Sequence, residues 1–249
     1  MYLCAGIDVQ SDRLEVSIAA FDSDNTCHVL SHQRIWESPD DAETWLELDH
    51  LLTMKWHHPF GAPIGISATC IDSGYATEKV YDFCFVRGAR HIYATKGLPG
   101  NRPAIQRSTD KVVRGKSTHN SGRLWLVGTH VIKTMLFSRL QSGKLLRFSS
   151  DLDGDYFEQL SSERIEYVYR AGRCFPKFTQ ISGRENHAFD TLVYAHAARA
   201  TLTISNWKAR EEVLRGHGST DRTSMGLQYA EAVRQGRKIY SYGQGVRHE

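Results

Sequence analysis

Apolar and polar positions alternate with a period of two in three successive stretches at the start of the chain. In Tyr2–Val9, Leu3, Ala5, Ile7 and Val9 line one face, and Cys4, Gly6, Asp8 and Gln10 follow on the other. Gln10-Ser11-Asp12 supplies a turn, after which Leu14, Val16, Ile18 and Ala20 alternate with Glu15, Ser17 and Ala19. A second turn, Asp22-Ser23-Asp24-Asn25, leads into a third strand over 27–36. Connections this short predict an antiparallel meander.

The period then lengthens. Ser38 reads as a helix N-cap with Pro39 at the first helical position and Asp41 three residues after the cap, and Trp45, Leu48 and Leu52 recur on one helical face. A more buried strand over 63–71 ends at Asp72-Ser73-Gly74, followed by a helix over 75–87 and a strand over 91–95. Further on come a strand at 124–128, a helix over 129–140, a short helix at 156–162 and strand-like segments near 165–169 and 174–179. An alanine- and leucine-rich helix over 184–203 closes the pattern. Beyond Trp207 it dissolves into charged, glycine-containing sequence that reads as a weak helix or disorder, so 1–204 reads as one α/β domain and 205–249 as a weakly structured or disordered tail. Three hairpin strands, a helix and then alternating strands and helices predict a mixed sheet with helices on both faces. That is the order of a ribonuclease-H-like core, although order alone leaves several other α/β folds open.

Composition changes this picture little. The 249 residues are 41% hydrophobic and 24% charged, ordinary for a globular chain. No stretch approaches the roughly 18 apolar residues of a membrane span, so no membrane partner is expected. The five cysteines form no C-x-x-C pair, which argues against a zinc knuckle or disulfide framework. The net charge of +3 decides nothing by itself, but its distribution does more. Lys96, Arg102, Arg107, Lys111, Arg114, Lys116 and Arg123 occur with Asp110 as the one acid among them, interspersed with Gly97, Pro99, Gly100, Pro103, Gly115 and Gly122. Such a stretch reads as a long basic loop over 96–123, either a solvated surface or a phosphate-contacting arm.

Three aspartates stand in unexpected places. Asp8 lies within the first strand, where a carboxylate is disfavoured unless it is paired or binds a cation, or sits beside the turn as a strand-end residue. Asp72 ends the fourth strand, either as the cap of the next helix or at the carboxyl edge of the sheet where active sites collect. Asp190 interrupts an otherwise apolar helix, with Asn186, His187 and Tyr194 as its neighbours at spacings of three and four, and an exposed helix edge would also explain it. Together these are hard oxygen donors of the kind that suit Mg²⁺ or Mn²⁺, and two such ions can hydrolyse a phosphodiester.

Several ordered motifs carry a resemblance. They are Ala5-Gly6-Ile7-Asp8-Val9-Gln10-Ser11-Asp12-Arg13-Leu14-Glu15-Val16, Trp45-Leu46-Glu47-Leu48, Ile71-Asp72-Ser73-Gly74-Tyr75-Ala76-Thr77 and Tyr93-Ala94-Thr95-Lys96-Gly97. They continue through Leu124-Trp125-Leu126-Val127-Gly128-Thr129 with Lys133, then Tyr156-Phe157-Glu158-Gln159-Leu160-Ser161-Ser162-Glu163, and end at Arg184-Glu185-Asn186-His187-Ala188-Phe189-Asp190-Thr191-Leu192-Val193-Tyr194-Ala195. In this set, over about residues 3–200, the chain resembles the nuclease domain of phage terminase large subunits of the lambda-type branch. The resemblance implies a ribonuclease-H-like fold, a site for two Mg²⁺ or Mn²⁺ ions held by Asp8, Asp72 and Asp190, and cleavage of double-stranded viral DNA during genome packaging. It also implies the terminase ATPase domain, the small terminase subunit and the portal as partners, and the host cytoplasm as location.

His187 departs from the family pattern, which more often has an acidic residue there, and reads as an auxiliary group for a water or phosphate or as a packed helix histidine. Lys133 reads as a phosphate contact or a solvated lysine, and Glu163 as a helix-end or ion-pair residue. The packaging ATPase of such proteins needs a phosphate loop, and Asp110-Lys111-Val112-Val113-Arg114-Gly115-Lys116-Ser117 lacks its first glycine and a preceding buried strand. Because the chain starts directly on its first strand, an excised nuclease domain is expected. The alternatives are a catalytically inert DNA- or portal-binding module of the same fold, and an ATPase of the actin-like or sugar-kinase type.

Overall fold

The computed structural model describes residues 1–58, 60–108, 124–170, 172–204 and 206–217. In chain order these form β1 (Tyr2–Val9), β2 (Leu14–Phe21), β3 (Cys27–Ile35), α1 (Ala42–Thr53), β4 (Lys55–His57), β5 (Pro63–Asp72) and α2 (Thr77–Phe85). Then follow β6 (Ile92–Leu98), β7 (Ile105–Arg107), β8 (Leu124–Gly128), α3 (Thr129–Ser142), β9 (Leu146–Phe148), α4 (Gly154–Leu160), β10 (Glu163–Arg170), β11 (Arg173–Gln180), α5 (His187–Thr201) and α6 (Trp207–His217).

The main sheet runs β7-β8-β6-β5-β1-β2-β3-β9, with β4 paired to β5. The opening meander is antiparallel, and β1, β5, β6 and β8 are parallel neighbours. Strands β10 and β11 form a separate antiparallel pair. A three-stranded meander whose first strand continues into parallel crossovers is the ribonuclease-H-like arrangement, and the fold is mixed α/β with helices on both faces, as the pattern predicted.

The two faces explain why β1 and β2 are buried along nearly their whole length. Ala5, Ile7, Val9, Leu14, Val16 and Ile18 pack with Leu48 and Leu52 of α1 and Val80 of α2. On the opposite face Cys4, Ala19 and Phe21 pack with Leu136 of α3, Tyr156 of α4 and Phe189, Leu192 and Val193 of α5. Helix α5 lies very close to β1: a Cβ at Gly6 would come within 1.9 Å of the Thr191 carbonyl oxygen and 2.3 Å of the Ala195 amide nitrogen. Only a residue without a side chain permits that approach.

Several boundaries differ from the sequence expectation, each for a local reason. Ser38 does not cap α1, which begins four residues later. The Ser38 carbonyl accepts from the Asp41 amide at 3.0 Å and from the Thr44 hydroxyl, while the Pro39 carbonyl accepts from Trp45 Nε1 at 2.8 Å. Asp72 is not the cap of α2 either: Ala76 occupies that position with a left-handed φ of 46°. Helix α5 begins at His187 rather than near 184. The three-residue strands β4, β7 and β9 are too short to leave a period-two signal.

The expected basic loop over 96–123 is strand at two of its described points. Lys96 pairs with Leu126 and Arg107 with Trp125, because backbone pairing with β8 overrides the local glycine and proline content. Lys111, Arg114, Lys116 and Arg123 lie outside the described residues, as does the 110–117 run. The segment expected to be weakly structured begins with a docked helix. Trp207 of α6 meets Tyr2 edge-on with 5.2 Å between ring centroids, and Leu214 is buried with Leu3 and Ile64.

The close approach at Gly6 gives a direct test. Gly6→Ala should lower the unfolding free energy by about 1–3 kcal/mol or more, since the obstacle is helix backbone and not a movable side chain. Urea unfolding would measure it, and an unchanged midpoint would contradict α5 lying against β1 at this position.

Candidate active site

Ile7 of β1 is in register with Ile71 of the parallel strand β5, so Asp8 and Asp72 are the next residues of two adjacent strands at their common carboxyl edge. Neighbouring strands lie about 4.8 Å apart. Asp190 comes from the first turn of α5, the helix that crosses β1 at Gly6. Three elements far apart in the chain thus deliver the three predicted carboxylates to one edge.

Each carboxylate is held by a proton-bearing group. Asp8 Oδ2 accepts from Gln10 Nε2 at 2.7 Å and lies 2.8 Å from His187 Nδ1. The Tyr194 hydroxyl donates to Asp72, whose Oδ2 also takes the Gly74 amide at 3.3 Å. Asp190 Oδ1 lies 2.8 Å from Lys133 Nζ, and its Oδ2 accepts from Asn186 Nδ2 at 3.0 Å. Lys133 Nζ is also 2.5 Å from Glu163 Oε1, an oxygen that accepts from Asn186 Nδ2 at 2.8 Å. The other oxygen of Glu163, Oε2, is buried without a partner.

The electrostatics follow from this crowding. Burial raises the Asp72 carboxyl, and the Asp8 charge adds to the rise against the pull of the Tyr194 hydroxyl. Burial also raises Asp190, to about 6; Lys133 opposes the rise while Asp8 and Glu163 reinforce it. For Lys133, burial alone would favour the neutral amine, but Asp190 and Glu163 more than reverse it and the ammonium is held. The hydrogen bond to Asp8 raises His187 against the opposing effect of burial.

A divalent cation fits the chemistry of this donor set. Four carboxylates with oxygen-only donors suit a hard ion, two of them resist ionisation without a nearby positive charge, and one buried oxygen is orphaned. Asp8, Asp72, Asp190 and Glu163 are the groups that could hold it. Among the described residues, no three His, Cys, Asp or Glu side chains converge on one point, because His187, Tyr194 and Lys133 each hold one aspartate.

Behind Asp8 stands a network centred on the fully buried carboxylate of Glu15. Glu15, directly across the ladder from Asp8, takes Arg13 Nε at 2.7 Å, His32 Nε2 at 2.7 Å and Arg34 Nε at 3.2 Å. Burial would raise its carboxyl, yet these partners push it down to about 2. Arg13 continues to Glu185 at 3.0 Å, which ties β2 to the segment entering α5.

Two expectations from the sequence are corrected here. Lys133 is not a solvated lysine, since it is 8% exposed and doubly paired. Glu163 opens strand β10 and does not end a helix, and the ion-pair alternative is the one that fits its contact with Lys133. Its pairing with Lys133, thirty residues away, leaves no periodic signal, whereas the Asn186–Asp190–Tyr194 spacing was readable as one helical face. Of the expected phosphate-contacting residues, Lys96, Arg102 and Arg107 are exposed. Lys96 directly follows Thr95, the ladder partner of Asp72.

Residues 1–210 match the family described as terminase large subunit gpA, endonuclease domain. The chain is 27% identical over 228 residues to the terminase large subunit of Enterobacteria phage P21, covering 86% of this chain and 34% of that protein. It is 26% identical over 219 residues to the terminase large subunit of Escherichia phage lambda, covering 83% and 33%. The chain therefore spans about a third of the length of these relatives. Among solved structures it is similar to the yeast mitochondrial Holliday junction resolvase Ydc2, at 11% identity and a TM-score of 0.37, over 86% of this chain and 82% of that one.

The His187–Asp8 contact has a measurable pH signature. Because the fold raises the His187 pKa above 6.5, the stabilisation from this pair is complete below 6.5 and is lost as the pH rises through the folded value. Imidazole NMR titration should place His187 above 6.5 in the parent and lower in Asp8→Asn. Identical titration curves for the two proteins would rule out the contact.

Proposed function

The chain belongs to the gpA endonuclease-domain family of terminase large subunits, and we propose that it is a Mg²⁺- or Mn²⁺-dependent nuclease cutting double-stranded viral DNA concatemers during packaging. The observation that supports this reading is the placement of Asp8, Asp72 and Asp190 along one sheet edge, near enough for the Asp8 charge to raise both of the others. When bound, a pair of divalent ions supplies a water nucleophile at neutral pH and stabilises the leaving oxygen of the phosphodiester.

The chain's own residues have separable tasks in this scheme. Asp8 on β1, Asp72 on the neighbouring β5 and Asp190 on α5 are the carboxylates that would hold the ions. Tyr194 orients the Asp72 carboxylate through its hydroxyl, and Asn186 orients Asp190. His187 and Gln10 fix the rotamer of Asp8. Lys96, Arg102 and Arg107, with Lys111, Arg114, Lys116 and Arg123, supply positive charge for DNA phosphates, which positions a duplex without reading its bases. In the whole protein, the ATPase domain, the small terminase subunit and the portal are the proposed partners, and the host cytoplasm the proposed location. The family match favours phosphodiester hydrolysis over the actin-like or sugar-kinase ATPase alternative.

Two experiments test this reading. Supercoiled plasmid should be nicked with Mg²⁺ or Mn²⁺ but not with EDTA, and Asp8→Asn should slow nicking by roughly 10²-fold or more, the scale of removing one preorganised electrostatic group. Nicking by Asp8→Asn at the parental rate would remove the assignment, and a correctly folded parent that never nicks would leave an inert DNA- or portal-binding module. Separately, replacing Arg107, Lys111, Arg114 and Lys116 with alanine should weaken DNA binding alike for all sequences. It should also reduce the slope of log K against log salt by about 0.9 for each phosphate that is no longer neutralised. An unchanged slope would reduce this stretch to solvated surface.

A further inference from the structure

Lys133 is an ammonium enclosed between two carboxylates of the site. Its Nζ lies 2.5 Å from Glu163 Oε1 and 2.8 Å from Asp190 Oδ1, and the side chains of Lys133 and Glu163 are 10% and 4% exposed. The Phe189 ring closes one side, with Nζ 5.2 Å from its centroid. Asn186 Nδ2 bridges the same two carboxylates, at 2.8 Å to Glu163 Oε1 and 3.0 Å to Asp190 Oδ2. Every donor in the cluster is thus spent on Glu163 Oε1 or on Asp190, while Glu163 Oε2 stays buried with no partner. An unmatched buried carboxylate oxygen is costly, and the group that satisfies it must be a donor or a cation.

From this geometry we infer that Lys133 is a resident counter-ion, exchanged for a divalent cation when the site loads, and that Glu163 then joins Asp190 as a cation-binding carboxylate through Oε2. The inference rests on the cation-dependent reading above. Exchange follows from charge. An ammonium in contact with Asp190 Oδ1 and a divalent ion on the same carboxylate are like charges a few ångströms apart in a partly dry site, where their repulsion is poorly screened. Lysine suits the task because its compact charge sits on a flexible four-carbon stem that can swing out without moving α3. In the absence of an ion, Lys133 keeps Glu163 and Asp190 from repelling each other. In its presence, Lys133 is a competitor that weakens loading.

The test uses the 249-residue chain and Mn²⁺ alone, with free Mn²⁺ read by its EPR signal. Lys133→Met, close in shape and uncharged, should bind Mn²⁺ about tenfold or more tightly than the parent. It should also melt at a lower temperature without ion and gain more than the parent when Mn²⁺ is added. On the unmodified protein, acetylation of lysines followed by mass spectrometry should find Lys133 protected without ion and reactive at saturating Mn²⁺. That measurement decides the matter if Lys133→Met does not fold. Binding by Lys133→Met no tighter than the parent's, or Lys133 protection that Mn²⁺ leaves unchanged, would overturn the exchange. Asp8→Asn separates the two levels. Its binding Mn²⁺ as well as the parent would sink the site reading itself, whereas its losing Mn²⁺ while Lys133→Met shows no gain would sink the exchange alone.

Discussion

Everything at the sheet edge depends on a helix backbone lying against a strand backbone at Gly6. The Thr191 carbonyl and the Ala195 amide of α5 occupy the space where any side chain at position 6 would begin. Asp8 is the next residue of β1 on that face, and Asp190 precedes Thr191, so one close approach sets the separation of the two carboxylates. Pushed outward by a single methyl group, α5 would carry Asp190 away from Asp8 and His187 away from its partner oxygen. The network from Glu15 through Arg13 to Glu185 holds the approach to α5 from the other side, and Glu15 is buried completely to do it.

That close packing creates an electrostatic difficulty. It gathers Asp8, Asp72, Asp190 and Glu163 at one edge, where burial and the neighbouring Asp8 charge raise the Asp72 carboxyl and move Asp190 up to about 6. The fold answers with proton-bearing groups for each, among them His187 for Asp8, Tyr194 for Asp72 and Lys133 for Asp190 and Glu163 together. Breaking a buried pair costs far more than the pair contributes, so each of these partners stabilises mainly by preventing an uncompensated charge. The three aspartates consequently do not converge, since each is turned toward its own holder.

Much of this was readable in the sequence, and the unread part has a physical explanation. The meander, the buried fourth strand and the long last helix announced themselves through period, and Asp8, Asp72 and Asp190 drew notice because a carboxylate is out of place in each. The role of Gly6 was not readable, since a glycine in a strand does not reveal which backbone it admits. Glu15 falls on the alternating polar positions of β2, and period alone does not tell that α4 and α5 cover that face. Lys133 and Glu163 were each noticed and given bland roles: their pairing is a tertiary fact between α3 and β10. The docking of α6 was not readable because its anchors, Trp207 and Leu214, are two apolar residues in a charged segment, and what they anchor to is the far end of β1.

Helix α5 shows how one face can serve both packing and chemistry. His187, Asp190, Thr191 and Tyr194 stand at the i, i+3, i+4 and i+7 positions, the stripe that in an ordinary amphipathic helix is apolar and faces the core. In α5 the core is satisfied from all round instead, by Phe189, Leu192, Val193, Ala195, Ala197 and Ala198, which leaves that stripe available for polar groups. The stripe meets the sheet where β1 and β5 end, so His187 and Tyr194 reach Asp8 and Asp72 on the strands while Asp190 turns to Lys133 on α3. A single rigid helix therefore contributes one carboxylate and positions the other two. A small change in its register would disturb all three at once, and the missing side chain at Gly6 is what keeps that register.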